Sequence, residues 1–140
     1  MKMGFSGTRN GMTEAQKNAF VRLIDAEPPN WFHHGSCVGA DCEAALIVRM
    51  RFPVYCVIVR HPPKDTSLMA QNAPYGEDRP AKSHLARNRD IVNETELLIA
   101  TPFQMEHQES GGTWYTIDFA KKKKKKVTII YPDGTLEESK

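Results

Sequence analysis

Apolar residues along this chain follow two rhythms in alternation. Residues 2–6 carry a short strand pattern, and residues 13–26 then set Ala19, Phe20, Leu23 and Ile24 at helical spacing. Thr13-Glu14-Ala15-Gln16 reads as a capping box, with Pro28-Pro29 ending the helix. Residues 31–34 predict a second strand. Residues 39–51 predict a second helix, with Ala44, Ala45, Ile47 and Val48 as its apolar content. The nearly continuous β-branched and apolar run 54–59 predicts a strand buried on both faces.

From 61 to about 80 the rhythm stops, interrupted by Pro62, Pro63, Pro74, Gly76 and Pro80, and a mobile loop beside a functional site is expected. It returns as a helix over 81–93 with Leu85, Ile91 and Val92 inward, a strand over 96–101, a loop over 102–109, a helix over 112–123 and a strand over 127–131. Pro132-Asp133-Gly134 makes a turn into a short polar tail. The alternation predicts an α/β chain. It is read as a single Rossmann-like domain over 1–140, with a mostly parallel five-stranded sheet in the order 3-2-1-4-5 and helices on both faces. Strand order then reverses between the first and fourth strands. The loops that follow them, 7–12 and 102–113, would frame a ligand crevice.

Charge refines this picture at one place. The formal net charge is +2, but residues 121–126 are six consecutive lysines. Without them 13 basic residues face 17 acidic ones, so the basic character is local. A solvated helix end complementing the helix dipole is the plainer reading, and a nucleic-acid contact the sharper one. No apolar run is long enough to cross a membrane and no leader pattern opens the chain, so a cytoplasmic location is expected. Cys37, Cys42 and Cys56, even with His33 and His34 nearby, fit no zinc spacing; reduced thiols, no metal and no cofactor are expected.

Candidate chemistry lies where strands end. Gly7, Thr8 and Arg9 offer a tight turn, a hydroxyl and a planar cationic fork suited to phosphate. Gly35 and Ser36 allow close backbone approach, and Asp41 either caps a helix or accepts from a ribose hydroxyl. On the third helix Arg87, with Asn88 beside it, is assigned to the site, and Arg89 to a surface ion pair. Ser110, Gly111, Gly112 and Thr113 stand at a strand-to-helix junction, where small residues and free amides make an anion cradle. Gly112 is expected to hold a backbone angle that favours glycine. Trp114 is assigned to core packing ahead of ligand stacking, and Glu106 and Glu109 are the loop carboxylates available as acid or base.

Together these segments resemble the SLOG superfamily, which includes the Lonely Guy phosphoribohydrolases and the Rossmann-like domain of DNA-processing protein A. The resemblance runs through Gly7-Thr8-Arg9, His34-Gly35, Gly39-Ala40-Asp41, residues 87–92 and 98–102, Ser110-Gly111-Gly112-Thr113-Trp114 and Pro132-Asp133-Gly134. It is nearest to the small stand-alone phage and bacterial members. It implies a nucleotide-type small-molecule ligand and a homo-oligomer. It also implies two rival activities, hydrolysis of the N-glycosidic bond of nucleoside monophosphates and DNA binding. Aligning Gly112-Thr113 with the Gly-Thr of the hydrolase motif Pro-Gly-Gly-x-Gly-Thr-x-x-Glu puts Thr116 where the catalytic Glu stands. Arg87 would be the surviving arginine partner, with Glu106 or Glu109 as substitute acid. The expected role is therefore a sensor or binding protein.

Overall fold

A computed structural model describes residues 1–139. Strands β1 (Lys2–Gly7), β2 (Trp31–His34) and β3 (Val57–Arg60) lie side by side in parallel, and β4 (Glu77–Asp78) adds a two-residue parallel edge. On the other side of β1 come β5 (Leu97–Thr101) and β6 (Lys126–Ile130), also parallel, and then β7 (Leu136–Ser139), antiparallel. The sheet order is β4-β3-β2-β1-β5-β6-β7. The five strands expected from sequence keep their expected order, and the sheet is two strands wider than expected. Both additions are edge strands of charged residues with almost no apolar pattern, which an edge does not require.

Helices α1 (Glu14–Ala26) and α2 (Ala40–Arg51) cover one face of the sheet. There Phe5, Phe20 and Phe32 meet at ring distances of 5.5, 5.9 and 6.1 Å. Fully burying each ring contributes about 1.5–3 kcal/mol. Helices α3 (His84–Asn93) and α4 (Gly112–Lys122) cover the other face, packing Ile91, Val92, Ile117 and Ala120 on Leu98, Ala100, Val127 and Ile129. The capping box of α1 is present, with the Gln16 amide donating to Thr13 Oγ1 and the Thr13 amide donating to Gln16 Oε1.

Three expectations change. The third strand starts at Val57, because Val54 is 95% exposed in the turn that follows α2. Helix α3 starts at His84 on a Ser83 cap, and in that register Leu85 points outward while Arg87, Asn88, Ile91 and Val92 are buried. The stretch after β3 is stitched to the fold rather than patternless. It holds a 3-10 turn at Thr66–Leu68 and β4, and the Ala70 and Val38 amides donate to the Ser36 and Leu68 carbonyls at 2.7 and 2.8 Å. Its hydrogen bonds reach distant backbone, so no local periodicity announces them.

Among the described residues, no helix packs squarely over the α3 side of β2 and β3. Polar side chains fill that space. His33 Nδ1 and His61 Nε2 share a proton at 2.8 Å, and Arg79 clamps Glu94 at 2.9 Å beside them. Desolvation, with a smaller push from Arg79 on each ring, lowers His33 to about 4 and His61 to about 3. His34, fully buried on the opposite face, is also lowered to about 4, chiefly by desolvation.

A tight junction lies at the end of β1. A Cβ on Gly7 would fall 2.5 Å from the Ala40 Cβ and closer still to Thr101 Oγ1. The missing side chain thus lets Ala40 of α2 and Thr101 of β5 both close on the end of β1. Gly7→Ala should cost roughly 1–3 kcal/mol, read as a lower urea midpoint with an unchanged slope; a midpoint equal to the parent's would show that this junction is loose.

Acid should also destabilise the fold. The three buried imidazoles titrate near 6.5 once unfolded, so the unfolded chain takes up protons that the folded chain refuses. Their contribution is complete above about pH 7 and is lost as the pH falls from 6.5 towards 4. Asp41, raised to about 6 by burial, works in the opposite sense over pH 6 to 4, but it is one group against three. Urea unfolding of the metal-free chain at pH 7 and pH 5 should show a net loss on the order of 4 kcal/mol; equal stability at the two values would contradict neutral buried histidines.

Candidate functional site

The order reversal between β1 and β5 opens a cavity of about 520 Å³ at the carboxyl ends of these strands. Phe5 and Ser6 of β1 contribute to its lining, with Gly7, Thr8, Arg9 and Asn10 along one wall. Ser110, Gly111, Gly112 and Thr113 also line it, with Trp114, Phe103 and Gln104. Helix α3 adds His84, Leu85, Arg87, Asn88 and Ile91, and Cys37, Asp41 and Leu68 complete the lining.

Helix α4 begins here without a side-chain cap. Its Ncap is Gly111, and the first intrahelical bond runs from the Tyr115 amide to the Gly111 carbonyl at 3.0 Å. The amides of Gly112, Thr113 and Trp114 therefore have no intrahelical acceptor, and they carry the positive end of the helix dipole. The backbone angle that favours glycine is at Gly111, with φ 103°, and not at Gly112 as the sequence led us to expect. A Cβ on Gly112 would meet only Asn88 Nδ2 at 3.7 Å. Helix α2 also begins on an uncapped glycine, Gly39, but its first turn already carries the buried Asp41 carboxylate. Among these two helix starts, α4's is the one left open to an anion.

Asp41 is both anchored and incomplete. Its Oδ2 accepts from the Gly35 and Cys37 amides at 3.2 and 3.3 Å, while the buried Oδ1 has no partner. Desolvation pushes this carboxyl up to about 6, against the pull of Arg87 and the nearby amides of Cys37, Gly35 and Gly7. At neutral pH it is mostly ionised, with one buried oxygen left without a donor.

Arg87 is fully occupied. Nε donates to Asn88 Oδ1 at 2.6 Å, Nη1 to the carbonyls of Gly35 and His61, and Nη2 to Cys37 Sγ at 3.2 Å and His84 Nδ1 at 3.1 Å. All five guanidinium N–H groups thus have partners within the protein. A Cβ on Gly35 would lie 2.6 Å from Nη1, so that glycine makes room for the guanidinium. Arg87 can bias the cavity by its charge but has no donor left over. Arg9, by contrast, is exposed and makes no ion pair among the described residues.

The sequence-derived residues divide accordingly. Gly7, Thr8, Arg9, Asp41, Arg87, Asn88, Ser110, Gly111, Gly112 and Thr113 line one cavity. Gly35 and Ser36 are buried and do not line it, with Ser36 at φ 59°. Glu106 and Glu109 are exposed and line no part of the cavity. Thr116, at the hydrolase Glu position, is buried and donates to the Gly112 carbonyl at 2.7 Å. Arg89 donates to the Tyr115 hydroxyl at 2.9 Å.

Trp114 packs in the core and also borders the cavity, held by Gln104 Oε1 at 3.0 Å from its Nε1. Sequence reading missed Leu85, Phe103 and Gln104. Phe103 stands two residues past β5, so its place at the strand end was the available signal. The lysine run lies at the far end of α4, where Lys124 turns the chain at φ 60° and the Lys125 amide bonds the Ala120 carbonyl at 3.0 Å.

No helix is long and apolar enough to cross a membrane. No protein-family model matches the chain, and no curated protein does. Among solved structures, the chain is similar to the molybdenum cofactor binding protein from the phototrophic bacterium Rippkaea orientalis. The two are 21% identical with a TM-score of 0.69, over 94% of this chain and 77% of that one. At that identity the likeness establishes a shared α/β fold.

Proposed function

We propose that this chain binds a nucleotide or nucleotide-derived phosphate ligand between β1 and β5, as a sensor or binding protein. The observation that carries the reading is the uncapped start of α4 opening onto a cavity at the point where strand order reverses. Phosphate oxygens accept from the Gly112 and Thr113 amides and from the Ser110 and Thr113 hydroxyls, with Arg9 closing over them. The half-exposed Leu85 and Phe103 offer apolar surface to a planar base, and the Asp41 carboxylate adds negative charge to that wall. The solved neighbour is described as a cofactor-binding protein, which supports a small-molecule ligand for this fold.

A thermal-shift panel tests the reading. Adenine and guanine nucleotides, ADP-ribose, cyclic dinucleotides and the molybdenum cofactor are compared with unphosphorylated nucleosides. A ligand at a hundredfold excess over its Kd adds about 2.7 kcal/mol, a shift of several degrees. Gly112→Val should remove that shift and leave the melting temperature of the free protein near the parent's, because a Cβ there meets only one distant neighbour. Stabilisation by nucleosides alone, or by nothing in the panel, would refute the phosphate cradle.

Asp41 gives one observation in favour of a second reading, hydrolysis at the N-glycosidic bond. Among the described residues it is the cavity's one carboxylate, and its carboxyl titrates close to neutrality. Incubation with nucleoside monophosphates should yield no free base if the chain is a binder. Base release that disappears in Asp41→Asn while ligand still binds would establish the enzyme instead.

A further inference from the structure

We propose that His33, His61 and Glu94 form a site for a divalent transition-metal ion of the zinc type, outside the cavity described above. The three side chains come from separate elements. His33 is on β2, His61 directly follows β3, and Glu94 is the C-cap of α3. Their ligand atoms all lie within 4.8 Å of one another. His33 Nδ1 is 2.8 Å from His61 Nε2 and 4.0 Å from Glu94 Oε1.

Two imidazole nitrogens and one carboxylate oxygen suit zinc, cobalt or nickel better than calcium or magnesium, which prefer all-oxygen shells. A tetrahedral ion with bonds of about 2.0–2.1 Å would hold its nitrogens roughly 3.3 Å apart. The rings must therefore open by roughly half an ångström, while the carboxylate closes in by a similar distance.

Several features favour occupancy. Both histidines are almost fully buried, and the backbone fixes them: His33 pairs with Val59 across the sheet, and the His61 amide bonds the His34 carbonyl at 2.8 Å. Arg79 donates to Glu94 Oε1, the oxygen that faces His33, at 2.9 Å and to Glu77 Oε1 at 3.2 Å, so the carboxylate is held in place beside the rings by an outer partner, as metal-bound carboxylates commonly are. Glu94 is about one-third exposed, which leaves the fourth position on the solvent side for water. The cost is local positive charge, from Arg79 itself and from Lys2. The competing arrangement is the existing imidazole pair sharing one proton.

Titration of the full, chelator-treated chain with Zn²⁺ by calorimetry, and with Co²⁺ by visible absorption, decides between them. One ion per chain is expected, with cobalt bands of a nitrogen–oxygen site and no thiolate charge-transfer band. His61→Asn and Glu94→Gln should each weaken binding at least about tenfold, and His107→Ala should leave it unchanged. Glu94→Gln alters a partly exposed side chain and carries the test if His61→Asn does not fold. No uptake, uptake undiminished in Glu94→Gln, dependence on His107, or a thiolate band pointing to the cysteines would overturn the site.

Discussion

One buried cation organises the region between β2, β3 and α3. Taking the Arg87 guanidinium out of water costs several kcal/mol, and only a full set of acceptors with a nearby counter-charge offsets that. The chain supplies both, in five acceptors from three segments and in Asp41 close by. The acceptors depend on Arg87 in return, because the Gly35 and His61 carbonyls would otherwise lose this buried donor. Gly35 has no side chain because the guanidinium occupies that space. The cavity wall built from Asp41, Cys37 and Asn88 is therefore held by a charge that ligand need not touch.

That arrangement also explains what could be read from sequence. The helices and the five inner strands were legible, because each buries an apolar face whose period survives in a short window. The crevice was legible too. Strand order alone selects the loops after β1 and β5, and their small residues lie where backbone must come close. The role of Arg87 was not legible. An arginine in a helix looks the same whether its donors face a ligand or five protein acceptors, and those acceptors lie up to 52 residues away. The exchange between Gly111 and Gly112 has a similar cause: two adjacent glycines share one sequence signal, and only the exact start of α4 decides which is the Ncap.

The histidines show the same limit from another side. His33 reads as part of a strand and His61 as the start of a proline-broken loop. Their meeting requires parallel pairing of β2 with β3 through a long crossover. Polar residues on that face would ordinarily argue against burial. They are buried because the short segment carrying Arg79 and α3's end, rather than a covering helix, closes over them and provides partners.

The two outer strands bear on how the sheet presents its edges. β4 is two acidic residues long, with Asp78 locked to Arg60 at 2.7 and 2.9 Å, and β7 presents Glu137 and Glu138 beside a single leucine. Neither offers the long uncharged rail of amides and carbonyls that an incoming chain needs. Among the described residues, both edges are therefore poor templates for growth of the sheet from one molecule into the next, whether as a shared dimer sheet or as the first step towards a fibril. The apolar side chains left open to solvent lie elsewhere, as on the outer face of α2 and the turn after it, where Leu46, Met50, Val54 and Tyr55 are exposed.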